Sequence, residues 1–177
     1  MKTKFKEIFP VVFITVIVFI SVALISGTDS ITKDKIEEQK ELQIKTMLSE
    51  MFPEMSEYAF EDEIYTIYSD GAVAGYAFLA AGRGYGGNID ILVGLEDEET
   101  VKGVKIIAQS ETPGLGSRIS ELSFTAGFAG VNVNDVILKK DGGQVDALTG
   151  ATISSRAVVE AVRTTALEKI QALKERE

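Results

Sequence analysis

At 177 residues the chain has room for one ordinary domain and an accessory segment. It has no cysteine and no histidine, which excludes disulfides, zinc–thiolate and iron–sulfur sites and thiol catalysis, removes the default general base, and argues against haem ligation. Redox work here needs an organic cofactor, and a net charge of −9 argues against nucleic acid and anionic membrane surfaces as partners.

Ile8 to Ile25, "IFPVVFITVIVFISVALI", carries no charge. As a helix it would extend about 27 Å, enough for a bilayer core. Pro10 falls in its first turn, where a missing N–H costs little. Lys2, Lys4 and Lys6 precede the run and no Lys or Arg follows until Lys33. That bias predicts a cytoplasmic N-terminus over residues 1–7, a membrane helix over 8–26 and an outward-facing remainder. The rival reading is a cleaved signal peptide.

Ser30 to Met51 predicts a second helix, capped by Ser30 and ended by Pro53. Within a segment 27–55 it would be a stalk lifting the domain off the lipid, or it would pack on that domain. Residues 56–177 form the expected extracytoplasmic domain. Here the period changes to that of strands. "EIYTIYSDG" and "AVAGYAFLAA" flank an Asp70-Gly71 turn, and "NIDILVGLED" and "VKGVKIIAQ" follow about Asp97–Thr100. The imperfect alternation suggests an antiparallel sheet covered in part on both faces. A short helix is expected over Ser120–Phe128, burying Leu122, Phe124 and Phe128. "VNVNDVILKKDGGQVDAL" reads as another strand pair. Ile153 to Lys174 is the clearest helix of this part, with Val159, Val162, Ala166, Ile170 and Leu173 on one face. The fold class is α+β, with flanking helices on the sheet.

Three stretches could carry chemistry. "GRGYGG", Gly82 to Gly87, lacks the Lys-Ser/Thr ending of a phosphate loop and joins two strands. It reads as a hairpin connection, or as a rim that sets Tyr85 beside a bound ring. In "ETPGLG", Glu111, Thr112, Pro113, Gly114, Leu115 and Gly116, the glycines allow close backbone approach to a flat ligand. "DALTGATISS" runs from Asp146 through Thr149, Gly150, Ala151, Thr152 and Ile153 to Ser154 and Ser155. Its plain reading is a Thr152 N-cap. Its functional reading is an anion site at a helix start, where free N–H groups gather. Arg83, Arg118 and Arg156 are candidate cations. No metal site and no catalytic acid or base is expected.

"DALTGAT" resembles the flavinylation motif, an Asp followed at fixed spacing by Ser/Thr-Gly-Ala-Thr. Asp146 matches the acidic position, Thr149 the first hydroxyl, Gly150 and Ala151 the small pair, and Thr152 the last threonine. "GYAF", "GYGGNIDILVG", "ETPGLG" and "TGATISS" occur in that order behind an apolar N-terminal run. The chain is similar to the G subunit of the Rnf (Rsx) electron-transport complex. The C subunit of the sodium-translocating NADH:quinone reductase, usually longer, shares the domain. The resemblance implies FMN bound to Thr152 through a phosphoester, placed there from FAD by a flavin transferase using a divalent cation. It implies Glu111 to Gly116 and Tyr85 along the ring, and Thr149 with the amides of Ile153, Ser154 and Ser155 at the phosphate. It also implies a single-pass protein of the inner or plasma membrane. Its partners would be other membrane subunits, one of them a second covalent flavoprotein, in a complex coupling ferredoxin:NAD+ electron transfer to Na+ or H+ movement. The alternatives are a component like the quinone reductase's C subunit and a free-standing extracytoplasmic sensory or ligand-binding domain without redox function.

Overall fold

The computed structural model describes residues 2–175, with the side chains of 2–9, 25–34 and 37 outside the description. The expectations placed on Lys2, Lys4, Lys6 and the ends of the apolar run fall among those side chains. Helix α1 spans Lys2–Met51 with Pro10 inside it. It runs through Ser30 unbroken, so the expected helix start there is not found. The one glycine before it, Gly27, disfavours a helix by only about 1 kcal/mol. Among the described residues no helix is long and apolar enough to cross a membrane. The described side chains of the apolar run, 10–24, are all exposed. They are also fewer than the roughly 20 residues a bilayer needs. Residues up to Gln43 form one compact unit, and those from Ile44 onward form another.

The second unit is built on a five-stranded antiparallel sheet with its strands in chain order. These are β1 (Glu57–Glu61), β2 (Ile64–Ser69), β3 (Ala72–Arg83), β4 (Asn88–Leu95) and β5 (Val101–Gln109). Strand β1 was not legible from its sequence: all but one of its residues are exposed. Tight turns at Asp62-Glu63 and Asp70-Gly71 have positive φ at both positions, the geometry that matches the twist of the flanking strands. Gly84 to Gly87 closes the β3–β4 hairpin through a Gly84 N–H donated to the Gly87 carbonyl at 2.8 Å.

Both faces of the sheet are covered. On one, Ile89, Ile91, Val93 and Leu95 of β4 pack with Phe78, Val101 and Val104 against helix α3 (Thr152–Lys174). Val158, Val159, Val162 and Ala166 supply the facing stripe. On the other, Leu92, Ala77 and Ile67 meet Leu48 and Met51 from the end of α1 and Phe52 just after it. The period-2 alternation along β4 sends Leu92 to the second face. Gly75 and Gly94 make room there, since a Cβ on Gly75 would collide with Phe52, and one on Gly94 would collide with Met51 and press on Phe52. Residues 44–52 are therefore packing elements of the domain rather than stalk.

Two other expectations change. The region around Ser120–Phe128 forms a 3-10 turn at Gly116–Ser120, a single-turn helix α2 (Leu122–Thr125) and another 3-10 turn at Ala126–Phe128. Phe124 and Phe128 are buried edge-to-face at 5.4 Å. Leu122 is 78% exposed, because it lies two residues from Phe124, on the far side of the turn. The expected strand pair after Ala129 is absent from the described residues. Short 3-10 turns at Val133–Asp135 and Lys139–Asp141 replace it, with isolated bridges Thr100↔Asn132 and Leu138↔Val145. Val131, Val133, Val136, Leu138 and Val145 are buried at irregular steps. The Asn132 side chain accepts the Asn134 N–H at 3.0 Å, a local bond that competes with strand pairing.

Candidate functional site

Three segments meet at one cavity of about 600 Å³, a size suited to a small cofactor. The β3–β4 loop contributes Tyr85, 74% exposed. The loop after β5 contributes Glu111, Thr112, Leu115 and Gly116. The approach to α3 contributes Gly150, Ala151, Thr152, Ile153 and Ser154. Antiparallel pairing explains the meeting of the first two. Ile89, just past the hairpin loop, is opposite Gln109 at the end of β5, so both loops leave the same end of the sheet.

The start of α3 differs from expectation by one residue. The Ser155 N–H donates to the Ala151 carbonyl at 2.9 Å, which makes Ala151 the N-cap and Thr152 the first helical residue. Gly150, at φ +80°, supplies the left-handed step that turns the chain into the helix. No side chain among the described residues caps this end. Thr152 is exposed, and its hydroxyl has no partner among the described residues. The amides of Thr152, Ile153 and Ser154 also lack a protein acceptor among the described residues.

Ser155 does not share that freedom. Its amide is bonded within the helix, and its buried hydroxyl donates to the Ala151 carbonyl and accepts the Leu148 N–H, each at 3.0 Å. It holds the entry to α3 and cannot offer an amide to a phosphate. Thr149 is exposed and outside the cavity lining. Asp146 is also outside, with its carboxylate paired to Lys139 at 2.7 Å. Pro113 and Gly114 form the tip of their loop, with the Gly114 N–H bonded to Ser117 Oγ at 3.0 Å. No lysine or arginine among the described residues lines the cavity. Arg156 is bound to Asp141 at 3.0 Å, Arg118 pairs with Glu121 at 3.6 Å, and Arg83 is an exposed residue at the end of β3.

Glu111 turns inward and is only 6% exposed. Its carboxylate accepts the Gly86 N–H at 2.9 Å and the Ser154 hydroxyl at 2.5 Å. Around it, a Cβ on Gly84 or Gly116 would run into a carboxylate oxygen. The sequence placed Glu111 at the head of a glycine-rich loop, but nothing in it linked that carboxylate to Gly86 or Ser154. The N-cap role of Ala151 and the bonds of Ser155 left no trace in it either.

The arrangement fits a phosphorylated aromatic cofactor. It offers an uncommitted hydroxyl, three unpaired amides at the positive end of a 23-residue helix, and a cavity rimmed by an aromatic ring. A family model described as an FMN-binding domain matches residues 84–166, from the Tyr85 loop into α3. Sheet, cavity and helix start thus define an FMN-binding-domain protein. The chain is 35% identical over 167 residues to the G subunit of the ion-translocating oxidoreductase complex of Vibrio vulnificus, with 80% of this chain and 79% of the relative covered. The Haemophilus influenzae protein of the same name is 35% identical over 165 residues, with 80% of each covered. The chain belongs to the family of G subunits of ion-translocating oxidoreductase complexes. Among solved structures, the C subunit of the Na(+)-translocating NADH-quinone reductase of Parabacteroides distasonis aligns with a TM-score of 0.52 at 26% identity, covering 60% of this chain and 61% of that one. Shewanella oneidensis NqrC aligns with a TM-score of 0.51 at 19% identity, covering 68% and 73%, and shares the fold.

Proposed function

We propose that this protein is a membrane-anchored electron carrier holding FMN through a phosphoester to Thr152 Oγ, as the G subunit of an ion-translocating oxidoreductase complex. The observation that carries the reading is the Thr152 hydroxyl, exposed and unpartnered at the mouth of the cavity beside three unpaired amides. Those amides would hold the phosphate in place of the missing cations. The Tyr85 ring and Leu115 would cover the flat part of the cofactor, and the bound FMN would supply the electron-transfer chemistry. Nothing in the lining acts as a general acid or base on this reading. The residues position the group.

The apolar run Ile8–Ile25, preceded by Lys2, Lys4 and Lys6, supports a single membrane span with a cytoplasmic N-terminus. The domain would then face outward, where a covalent tether prevents loss of a cofactor that cannot be recaptured. Partners would be the other membrane subunits of the complex and, during maturation, a flavin transferase. The likeness to the quinone reductase's C subunit supports the same use of the domain, but over less of the chain and at lower identity than the oxidoreductase-complex relatives.

The test is co-expression with an active flavin transferase, followed by denaturation and washing. Visible flavin absorbance should persist in the wild type, vanish in Thr152→Ala, survive in part in Thr152→Ser and remain in Thr149→Ala. A colourless wild-type protein under those conditions overturns the proposal.

A further inference from the structure

We propose that Glu111 is a positioning residue for the flavin cavity, the tie through which the Tyr85 loop and the start of α3 are held in register. This rests on the proposed function. Its carboxylate spans two segments remote in sequence: one oxygen takes the amide of Gly86, 25 residues upstream, and the other the hydroxyl of Ser154, 43 residues downstream. Its own N–H donates to the Gln109 side-chain oxygen at 2.6 Å, fixing the backbone from which it reaches. Among the described residues it has no cationic partner. Burial of such a group is tolerated because hydrogen bonds satisfy it.

The surroundings are shaped to this side chain. Gly84 and Gly116 each lack the Cβ that would strike a carboxylate oxygen, and Gly86 lacks one that would strike the Ser110 carbonyl beside it. The flanking residues Tyr85 and Thr152 are exposed. Among the described residues neither side chain bonds to the opposite segment, so the carboxylate between their neighbours sets the spacing of the cavity walls. A hydrophobic side chain could fill the same volume, but it could not satisfy the Gly86 amide and the Ser154 hydroxyl together. Glutamine could: its oxygen accepts from Gly86 and its amide donates to Ser154 Oγ.

Two measurements test this. In the cofactor-free Thr152→Ala background, Glu111→Ala should speed hydrogen exchange of the Gly86 amide by about tenfold or more, as expected for the loss of its one hydrogen-bond acceptor. Glu111→Gln should restore the slow exchange. In flavin-loaded protein, Glu111→Ala should lose visible circular dichroism per attached flavin, Ser154→Ala should lose part of it, and Glu111→Gln should keep it. A drop in thermal stability with Gly86 exchange and the circular dichroism per flavin both unchanged would make Glu111 an ordinary core residue and overturn the inference. If Glu111→Ala fails to fold, Ser154→Ala against Glu111→Gln decides, and an unchanged signal in Ser154→Ala overturns it. A wild type without attached flavin would instead defeat the proposed function, leaving the exchange experiment to judge Glu111.

Discussion

Replacing Gly116 by alanine tests the site's internal geometry. Gly116 is buried, and a Cβ there would come within 3 Å of both Glu111 Oε2 and Ser154 Oγ, the two ends of one hydrogen bond. Glu111 cannot swing aside freely, because its other oxygen holds the Gly86 amide. Relief therefore requires breaking the Ser154–Glu111 bond or shifting the loop. A hydrogen bond to a charged group contributes about 1.5–3 kcal/mol, and a methyl forced into a packed site costs about 1–3 kcal/mol. The two describe the same displacement, so they overlap rather than add, and the expected loss is roughly 2–3 kcal/mol. For a unit the size of residues 44–177, that corresponds to a melting temperature lower by about 6–15 °C. Urea unfolding of Gly116→Ala and of the double variant Gly116→Ala/Ser154→Ala would measure it. In the double variant one of the clashing atoms is gone, so its loss should be less than the sum of the singles. A Gly116→Ala protein within about 0.5 kcal/mol of wild type, the range of ordinary surface changes, would refute the reasoning.

Phe52→Ala empties the slot formed by Gly75 and Gly94, and should cost about 3–5 kcal/mol in denaturant unfolding; a loss under about 1 kcal/mol would show that residues 44–52 do not pack as described. Lys102, hydrogen-bonded to Glu54 at 2.7 Å, holds the Glu54 carboxyl below its ordinary value of 4.5. A carboxyl depressed in the folded state stabilises above its unfolded pKa, and that contribution disappears as pH falls through the folded value. Glu54 is exposed and Lys102 half-buried, so with solvent screening Glu54→Gln should be less stable than wild type by no more than about 1 kcal/mol near neutrality. The difference should close as pH falls below 4.5 and through the depressed folded-state value; a gap that persists in acid would remove the ion pair as its cause.

The hairpin at Asp70-Gly71 and helix α3 were legible because each is fixed by local chemistry, left-handed turn residues in one case and a 3.6-residue apolar stripe in the other. The cavity was legible in outline for a similar reason, since glycine-rich loops beside a helix start announce close backbone approach. Other features depend on distant partners. Val131 to Val145 looked like strands because apolar residues recur there, but the polar groups between them bond locally and leave little for a ladder. For residues 44–52 the sequence left stalk and packing on the domain both open, because the glycines that receive Met51 and Phe52 lie in strands remote in sequence. The inward turn of Glu111 likewise needs Gly86 and Ser154, which no local pattern links to it. The one-residue shift of the N-cap from Thr152 to Ala151 rests on a single Ser155–Ala151 bond. It frees the Thr152 hydroxyl that a cap would have engaged.

The central claim is that Thr152 carries the cofactor, and the mass of the peptide containing it tests that most directly. Protein matured beside an active flavin transferase should yield this peptide heavier by one phosphoester-linked FMN, with fragmentation placing the addition on Thr152 and leaving Thr149 bare. An unmodified Thr152 peptide from the same preparation, or a flavin found on Thr149, would contradict the account.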